Sequence, residues 1–357
     1  MNHLELFAGI GGFRRALDLL SKDGIMDFKS VGFSEIDTKA KTTYKSNYNI
    51  SGEVDMGDIV SFTANKTNIE DLPDFELLTG GFPCQTFSVM GSLLGFNEDR
   101  GQMFFRIMDI LSVKHPKYVL LENVKNLYRH DSGKTYKRIA KELNNEGYSV
   151  YPLLLNTCDF HLPQKRSRIF IFASRDKYNP VLADNFTSEN VQSCFDKHIK
   201  DSSVISCETT LDLLSKQVDK KYYLSEKIKP TILADGSANF KSKSDINQLI
   251  ARPLTASMHK MHRACQDNYY SQDFIDSKGS INHVLNYSKE ELAKLDIRRL
   301  TPEESFMLQG FPSSFAVNGR NAKVSDGALY KQAGNAVSVN VVYAILLYLI
   351  KNKAIKE

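Results

Sequence analysis

Residues 4–12, which read LELFAGIGG, place a short apolar strand pattern directly before a turn with three glycines. The residues from Gly12 to Leu20 then have the apolar spacing of an amphipathic helix. A glycine-rich turn between a strand and a helix allows the backbone to approach a nucleotide-like ligand. Glycine also serves turns that only need a positive φ angle. This stretch alone therefore predicts a strand, a turn and a helix, but not a ligand.

The same alternation of short apolar runs and amphipathic stretches continues over residues 1–176. It predicts a parallel sheet covered by helices, which is an α/β domain of the doubly wound, Rossmann-like class. The predicted strands are Leu4–Phe7, Ser30–Ser34, Phe75–Thr79, Tyr118–Leu121, Val150–Leu155 and Arg168–Ala173. The predicted helices are Gly12–Leu20, Thr38–Tyr48, Gly101–Val113 and Ser132–Asn145.

The composition narrows the class of protein without indicating an activity. A chain of 357 residues, 42% hydrophobic and 25% charged, is typical of a soluble globular protein with two domains. Its net charge of +4 is too small to indicate nucleic-acid binding by itself. Five cysteines without a CxxC pair fit a reducing cytoplasm. We expect no export signal and no membrane span, because the longest apolar stretch, residues 337–350, is shorter than the roughly 20 residues that a bilayer requires.

Acidic side chains follow the glycine turn at positions that suit a nucleotide. Glu35 comes at the end of the second predicted strand, and Asp58 follows Gly57 further along the chain. Ligands of doubly wound sheets bind at the carboxyl ends of the strands. Glu35 could there accept hydrogen bonds from a ribose diol, and Asp58 could accept one from an adenine amino group. Together with the glycine turn, these residues predict a cofactor that contains adenosine.

A cysteine follows the next strand end, in the sequence GGFPCQTFS of residues 80–88. Pro83 keeps the preceding residue extended and stiffens the approach to Cys84. A lone cysteine is often only a small buried hydrophobic residue, but the flanking glycines and polar residues favour a nucleophile. The polar segment that continues to Arg100 has the composition of a mobile lid.

Charged residues follow two further predicted strand boundaries. Glu122 comes after four apolar residues, so partial burial should favour its protonated form and suit it to general acid catalysis. Strand alternation places Arg166 and Arg168 on one side of the strand that starts there. Two such guanidinium groups can hold a carboxylate, a phosphate or the edge of a base. The alternatives are an ordinary loop glutamate and a solvated basic edge strand.

Residues 177–297 lose the regular rhythm and predict an irregular second domain, inserted into a first domain that resumes over residues 298–357. A disordered linker is the alternative, but the apolar islands are too many for it. No acidic residue occurs between Ile246 and Gln266, which makes this stretch cationic and favours contact with nucleic acid. Its basic residues are Arg252, His259, Lys260, His262 and Arg263. Pairs such as His259 with His262 supply too few ligands to indicate a metal.

Five blocks in this order along the chain resemble signature blocks of the DNA (cytosine-5)-methyltransferases. They are residues 7–12 (FAGIGG), 81–85 (GFPCQ), 122–124 (ENV), 164–168 (QKRSR) and 334–335 (GN). Residues 298–303 (RRLTPE) and 309–312 (QGFP) also resemble the block that follows the family's target-recognition domain. The resemblance covers both ends of the chain.

This resemblance implies an S-adenosylmethionine-dependent methyltransferase sheet and, over residues 177–297, a smaller and mostly β target-recognition domain. The implied reaction transfers a methyl group to C5 of a cytosine flipped out of duplex DNA, through a covalent bond between Cys84 and C6. S-adenosylhomocysteine is the product, and no metal takes part. Glu122 would protonate N3, Arg168 would bind the O2 side of the base, and Arg166 would orient Glu122 or a backbone phosphate.

The resemblance also implies the binding residues. Those expected at the cofactor are Phe7, Ala8, Gly9, Ile10, Gly11, Gly12, Glu35, Ile36, Asp58, Ile59, Pro83, Met103, Asn335 and Val337. Those expected at the DNA are Gln85, Ser88, Gln164, Lys165, Arg252, Thr255, Lys260, Arg263 and Arg298. The chain departs from the family pattern at Ile36, where many relatives carry an aromatic residue, at Pro253, which replaces a threonine, and at Ala336, where many carry serine.

A bacterial, monomeric enzyme of a restriction-modification system, paired with a restriction endonuclease, is the role that follows. Two alternatives remain open: a tRNA cytosine methyltransferase of the same family and a non-catalytic DNA-binding regulator that kept the fold. An NAD oxidoreductase, which the glycine turn alone would allow, leaves Cys84 and the arginines unexplained.

Overall fold

The computed structural model of the protein describes residues 1–83, 103–176, 178–236, 242–277 and 287–356. Its main sheet has seven strands, in the order β3-β2-β1-β4-β5-β7-β6. They are β1 (Asn2–Leu6), β2 (Lys29–Phe33), β3 (Val54–Asp55), β4 (Leu77–Gly81), β5 (Tyr118–Val124), β6 (Ser149–Asn156) and β7 (Ser167–Ser174). The doubly wound α/β prediction is confirmed. Only β3 had no predicted counterpart, because two residues carry no periodic pattern.

The sheet is mixed, and not wholly parallel as predicted. β7 pairs antiparallel with both β5 and β6, whereas the pairs from β3 across to β5 are parallel. The reason is the short link between Asn156 and Ser167, which holds one turn of 3-10 helix. A parallel neighbour needs a crossover of about a dozen residues or more. Folding straight back as a hairpin is the arrangement that so short a link permits.

Helices cover both faces of the sheet. Before residue 177 they are α1 (Gly12–Lys22), α2 (Thr38–Asn47), α3 (Ile59–Thr63), α4 (Lys66–Glu70), α5 (Met103–Lys114), α6 (Asn126–Arg129) and α7 (Lys134–Asn145). Those that follow are α8 (Pro180–Asn185), α9 (Ser188–His198), α10 (Lys229–Leu233), α11 (Gln272–Asp276), α12 (Lys289–Leu292), α13 (Pro302–Met307), α14 (Ser313–Asn321), α15 (Asp326–Asn335) and α16 (Val339–Lys351). The predicted helices all occur, with ends shifted by a few residues at most within the described chain.

Alternate residues of the central strands enter two separate apolar clusters. Leu120 and Phe172 belong to the cluster that contains the apolar faces of α1 and α16. Val119, Leu121 and Ile171 belong to the cluster on α5 and α7. Because both faces are buried, β5 and β7 are nearly continuous apolar runs, and their polar side chains lie toward the strand ends.

The segment 177–297 is irregular, as predicted, but its described residues are not mostly β. Their strands are β8 (Tyr269–Ser271) and the first residue of β9 (Ile297–Arg299), which pair antiparallel. Short helices, 3-10 turns and irregular backbone make up the rest. The first helices pack on α16 of the main domain, with ring centroids of Phe195 and Tyr343 6.1 Å apart. The remainder packs partly into the first cluster, through residues such as Leu211 and Phe274, and partly into a small third cluster around Tyr269 and Ile297.

One apolar stretch of the described chain is longer than expected from the sequence. Asp326–Lys351, with 26 residues, is long and apolar enough to cross a membrane by length and composition alone. However, 89% of its most apolar window is buried inside the protein. Residues 336–338 also divide it into α15 and α16. These features are those of a core element.

Candidate active site

The glycine turn between β1 and α1 is open on one side and tightly packed on the other. Phe7, Gly9 and Gly11 have φ angles of 54°, 58° and 79°. A Cβ placed on Gly9 would meet nothing within 4 Å, so there is open space beside it. A Cβ on Gly12 would instead lie 2.5 Å from Cγ1 of Val337, so only glycine fits there. The segment after α15, which carries the predicted cofactor residue Val337, is thus packed against the glycine turn.

Glu35 is fixed beside this open space. Its carboxylate accepts hydrogen bonds from the backbone N–H groups of Gly9 and Asp37, both at 2.7 Å. Burial raises the pKa of Glu35, and the two N–H donors partly oppose that shift. The next side chain, Ile36, is 71% exposed although it is apolar. An exposed apolar face next to a fixed carboxylate fits an adenosine group, whose base is flat and whose ribose has hydroxyl donors.

Some of the remaining predicted cofactor residues have side chains at the surface, and others have side chains buried in the core. Asp58 accepts from Val60 N at 3.1 Å and from Ser61 Oγ at 2.9 Å, so it caps α3. Asn335 and Pro83 are exposed, and Met103 is partly buried at the start of α5. The side chains packed into the core, which can offer a ligand only their backbone, are Ala8, Ile10 and Ile59.

Glu122 and Arg168 form an ion pair across neighbouring strands. Arg168 Nε lies 2.9 Å from Glu122 Oε1, and the two side chains are 20% and 13% exposed. Burial raises the pKa of Glu122, while the nearby Arg168 and Arg166 cations lower it. The structure therefore holds a partly desolvated carboxyl group next to a cation at the end of β5. This arrangement can donate a proton to a bound base, as the sequence predicted for Glu122.

A hydrogen bond joins this pair to the segment that leads to Cys84. Asn123 Nδ2 donates to the carbonyl of Phe82 at 2.8 Å, and both residues are buried. Gly81 pairs with Glu122 across the sheet. The last described residues before Cys84 are therefore held beside Glu122. Cys84, Gln85, Ser88 and the proposed lid up to Arg100 lie outside the described residues.

The structure corrects the predictions for Arg166 and Gln164. Arg166 is 3% exposed, and its guanidinium donates to the carbonyls of Leu254, Gly334 and Ala336 at 3.0, 3.1 and 2.9 Å. These hydrogen bonds go to backbone, and the ion pair with Glu122 is made by Arg168 instead. Gln164 is completely buried, so its side chain does not face a DNA surface. The sequence pattern could not distinguish a buried arginine from an exposed one.

Some of the residues predicted to bind DNA are buried or paired within the protein, and others are exposed. Arg298 is completely buried in an ion pair with Glu304 at 2.8 Å, so the structure corrects that prediction too. Arg263 is paired with Asp267, which follows the acid-free stretch directly, and it also donates to Thr255 Oγ1 at 2.6 Å. Arg252 is partly buried. The two predicted DNA residues that are exposed within the described ranges are Lys165 and Lys260.

Sequence reasoning missed three residues that shape the site. Ser34 Oγ accepts from Phe7 N at 3.1 Å, and Tyr48 OH donates to the Gly11 carbonyl at 2.6 Å. Asn123 was quoted in a motif but had no assigned role. Only Asn123 had a usable signal, its position beside Glu122. No group of three or more potential metal ligands occurs in the part of the chain that the structure describes.

Comparisons with known proteins agree with this geometry. The model of one protein family, described as C-5 cytosine-specific DNA methylase, matches residues 1–351. Type II methyltransferase M.DsaV from Dactylococcopsis salina is 34% identical over 97% of this chain and 84% of its own length. Type II methyltransferase M.HaeII from Haemophilus aegyptius is 35% identical over 96% of this chain and 90% of its own. The crystal structure of the S. pombe Dnmt2 methyltransferase shares the fold, with a TM-score of 0.70, 19% identity and 99% coverage of both chains.

Proposed function

The chain belongs to the C-5 cytosine-specific DNA methylases and is a DNA (cytosine-5)-methyltransferase, and from this premise we propose that it acts on a flipped-out cytosine through a covalent bond to Cys84. The observation that carries the proposal is the Glu122–Arg168 pair at 2.9 Å. This pair lies at the strand end next to Phe82, two residues before Cys84. A carboxyl group, a cation and a thiol at one place are what activation of cytosine requires.

The chemistry begins from the weak nucleophilicity of cytosine C5. The Cys84 thiolate adds to C6, and the electron pair displaced from the C5–C6 double bond moves toward N3. Glu122 donates a proton to N3 as charge develops there, and Arg168 holds both Glu122 and the O2 side of the base. C5 becomes electron-rich and is the atom that receives the methyl group. Loss of the C5 proton to water, return of the N3 proton to the Glu122 carboxylate and expulsion of the Cys84 thiolate then restore the aromatic ring.

S-adenosylmethionine is the methyl donor in this proposal, and the family uses it in general. When bound, it supplies an electrophilic methyl group on a sulfonium. The open space beside Gly9, the fixed Glu35 carboxylate and the exposed Ile36 fit its adenosine group. We expect Phe7, Asp58, Asn335 and the backbone near Val337 to complete the site.

Duplex DNA must present the cytosine outside the stack, because a paired base does not expose both ring faces. Flipping costs a few kcal/mol of stacking and pairing. We propose that the segment 177–297 recognises the target sequence, with Lys260 and Lys165 contacting phosphate, and that Gln85 and Ser88 lie near the DNA. The names of the relatives M.DsaV and M.HaeII support a role beside a restriction endonuclease.

To test the proposal, the purified protein is incubated with unmodified plasmid and methyl-labelled S-adenosylmethionine. The plasmid is then analysed by bisulfite sequencing. We expect cytosines that are protected from bisulfite conversion at one fixed position of one recognition sequence. Unfractionated tRNA is the parallel substrate. Label in tRNA alone would replace the DNA proposal by the tRNA alternative, and label in neither would favour the non-catalytic regulator.

A further inference from the structure

Gln164 was predicted to contact DNA, and Arg166 was predicted to orient Glu122 or a backbone phosphate. Both side chains instead bond to one residue of segment 177–297, the recognition segment. Gln164 Oε1 accepts from the N–H of Leu254 at 3.0 Å. Arg166 Nη1 donates to the carbonyl of the same Leu254 at 3.0 Å. Leu254 is 3% exposed, so both hydrogen bonds are shielded from water. The backbone of Leu254 is thereby fixed on both sides by alternate residues of one extended segment.

Arg166 also bonds to residues 334–336, the cofactor block, which contain the predicted cofactor residue Asn335. Arg166 Nη2 donates to the carbonyls of Gly334 and Ala336, which flank Asn335. The recognition segment also touches this block directly, since a Cβ on Gly334 would lie 2.3 Å from the carbonyl carbon of Thr255. No side chain fits between the two backbones. Leu254 and Thr255 therefore cannot shift without moving either Arg166 or the segment around Asn335.

The same extended segment continues into the catalytic pair. Arg168 follows Arg166 by two residues and forms the ion pair with Glu122. Lys165 N and Ala251 N bond to Ala251 O and Pro163 O at 2.9 and 2.7 Å, which adds a backbone connection to the recognition segment. One short piece of chain thus contacts the recognition segment, the cofactor block and the catalytic carboxyl.

We propose that Gln164 and Arg166 are positioning residues that couple binding of target DNA by the recognition segment to binding at the cofactor block. The inference rests on the proposed function. Coupling needs contacts to both sites, which Arg166 makes, while Gln164 acts through Leu254, the residue that Arg166 also holds. Arg166 suits the task because its planar fork reaches carbonyls from two separate segments, 88 and 168 residues away in sequence.

The test is a thermodynamic cycle with two ligands. The affinity for S-adenosylhomocysteine is measured by calorimetry with and without a saturating duplex that carries the site found by bisulfite sequencing. For the wild type we expect the duplex to strengthen this binding by about tenfold or more, within the usual range of coupling between sites. For Arg166→Lys, which keeps the charge but not the fork, we expect the ratio to fall below about threefold.

Two further variants keep the inference testable if Arg166→Lys does not fold. Gln164→Leu removes the bonds to Leu254 N and to the Leu308 carbonyl but leaves the bonds of Arg166 to Gly334 and Ala336 in place. It should lower the ratio while S-adenosylhomocysteine binding without DNA changes by less than about twofold. Ser167→Ala is the matched control, because this residue lies between the two arginines and contacts Arg168 through its backbone carbonyl, which alanine keeps. Its ratio should equal that of the wild type.

The outcomes separate the two proposals. A folded wild-type protein that binds no duplex would overturn the proposed function. A wild type that binds both ligands without coupling, or an Arg166→Lys or Gln164→Leu protein that keeps the full ratio, would overturn the coupling inference and leave the proposed function standing.

Discussion

Arg168 Nε lies 2.9 Å from Glu122 Oε1, and this contact spans the antiparallel pairing of β5 with β7. It occurs because the hairpin of β6 and β7 turns the start of β7 back toward the end of β5, where Val124 is paired with Arg168. Had β7 run parallel to β5, Arg168 would lie beside the first residues of β5, at the opposite end of the strands from Glu122. The reversed direction of β7 is thus what places the Arg168 cation beside the Glu122 carboxylate.

Glu122→Gln should lower kcat by about 10²- to 10⁴-fold, because an amide cannot transfer a proton to N3 of cytosine. The affinities for duplex and for S-adenosylhomocysteine should change by less than about twofold, since the amide keeps the shape of the side chain. Single-turnover methylation and equilibrium binding check the two halves. A variant with normal single-turnover rates would remove Glu122 from the mechanism.

Cys84→Ala should abolish methyl transfer, because no other thiol takes part in the proposed attack on C6. The wild-type protein should form a covalent complex with a duplex that contains 5-fluorocytosine at the target position, since fluorine blocks the final proton loss. Denaturing electrophoresis and mass spectrometry detect the complex. Cys194→Ala, on α9, is the control and should still form it. Adduct formation by Cys84→Ala would refute the assignment.

Ile36→Ala should weaken S-adenosylhomocysteine binding by about fivefold to tenfold, because it removes the apolar surface offered to the adenine. Ile36→Phe should strengthen binding, since a flat ring stacks better on a base. Val317, another exposed apolar residue (40%) on α14, gives the control variant Val317→Ala. Isothermal titration measures all three. Equal affinities for Ile36→Ala and Val317→Ala would place the adenine elsewhere.

Duplex binding should weaken steeply with salt, and Lys260→Gln should reduce the slope of log K against log salt by about 1, as the loss of one phosphate contact does. Lys260 is exposed in the recognition segment, while Arg298 is buried and cannot release a counterion. Lys353→Gln, an exposed lysine after α16, is the control. An unchanged slope for Lys260→Gln would exclude this lysine from the DNA surface.

The stability of the wild type should fall between pH 6.5 and 8 because of Glu5. Burial raises the pKa of Glu5 from 4.5 to about 8, although the Arg14 cation opposes the shift. The folded state therefore binds a proton that the unfolded state has released, and stability decreases by about 2 kcal/mol over this range. Burial also lowers the pKa of His3 from 6.5 to about 3, so deprotonation of His3 in the unfolded state adds only about 0.4 kcal/mol of stability above pH 6.5.

Glu5→Gln should remove this alkaline loss, because its side chain has no proton to release. Urea unfolding at pH 6.5 and pH 8 measures the difference for both proteins. The decrease in stability with acid that His3 causes between pH 6.5 and 3 should remain in the variant. If both proteins lose the same stability between pH 6.5 and 8, another group is responsible.

Much of the site could be predicted because it depends on local patterns. The glycine turn, Glu35 and Glu122 follow apolar runs, and the edge at which parallel strands end is fixed once those runs are strands. The exposure of charged residues could not be predicted in the same way. Arg298, Arg166 and Lys260 each have another basic residue within three positions, yet the first two are buried and the third is exposed.

The sequence by itself determined six of the seven strands of the main sheet, the four helices predicted among them, the glycine turn and the resemblance to the family, because these depend on periodicity and on residue types within a few positions. Only the tertiary structure decided that Arg168 pairs with Glu122, and that Arg166 bonds to Leu254 and Gly334. Those contacts join segments far apart along the chain, and they depend on how the sheet, α15 and the recognition segment pack. A buried guanidinium must find acceptors, and packing alone decides which acceptors come within reach.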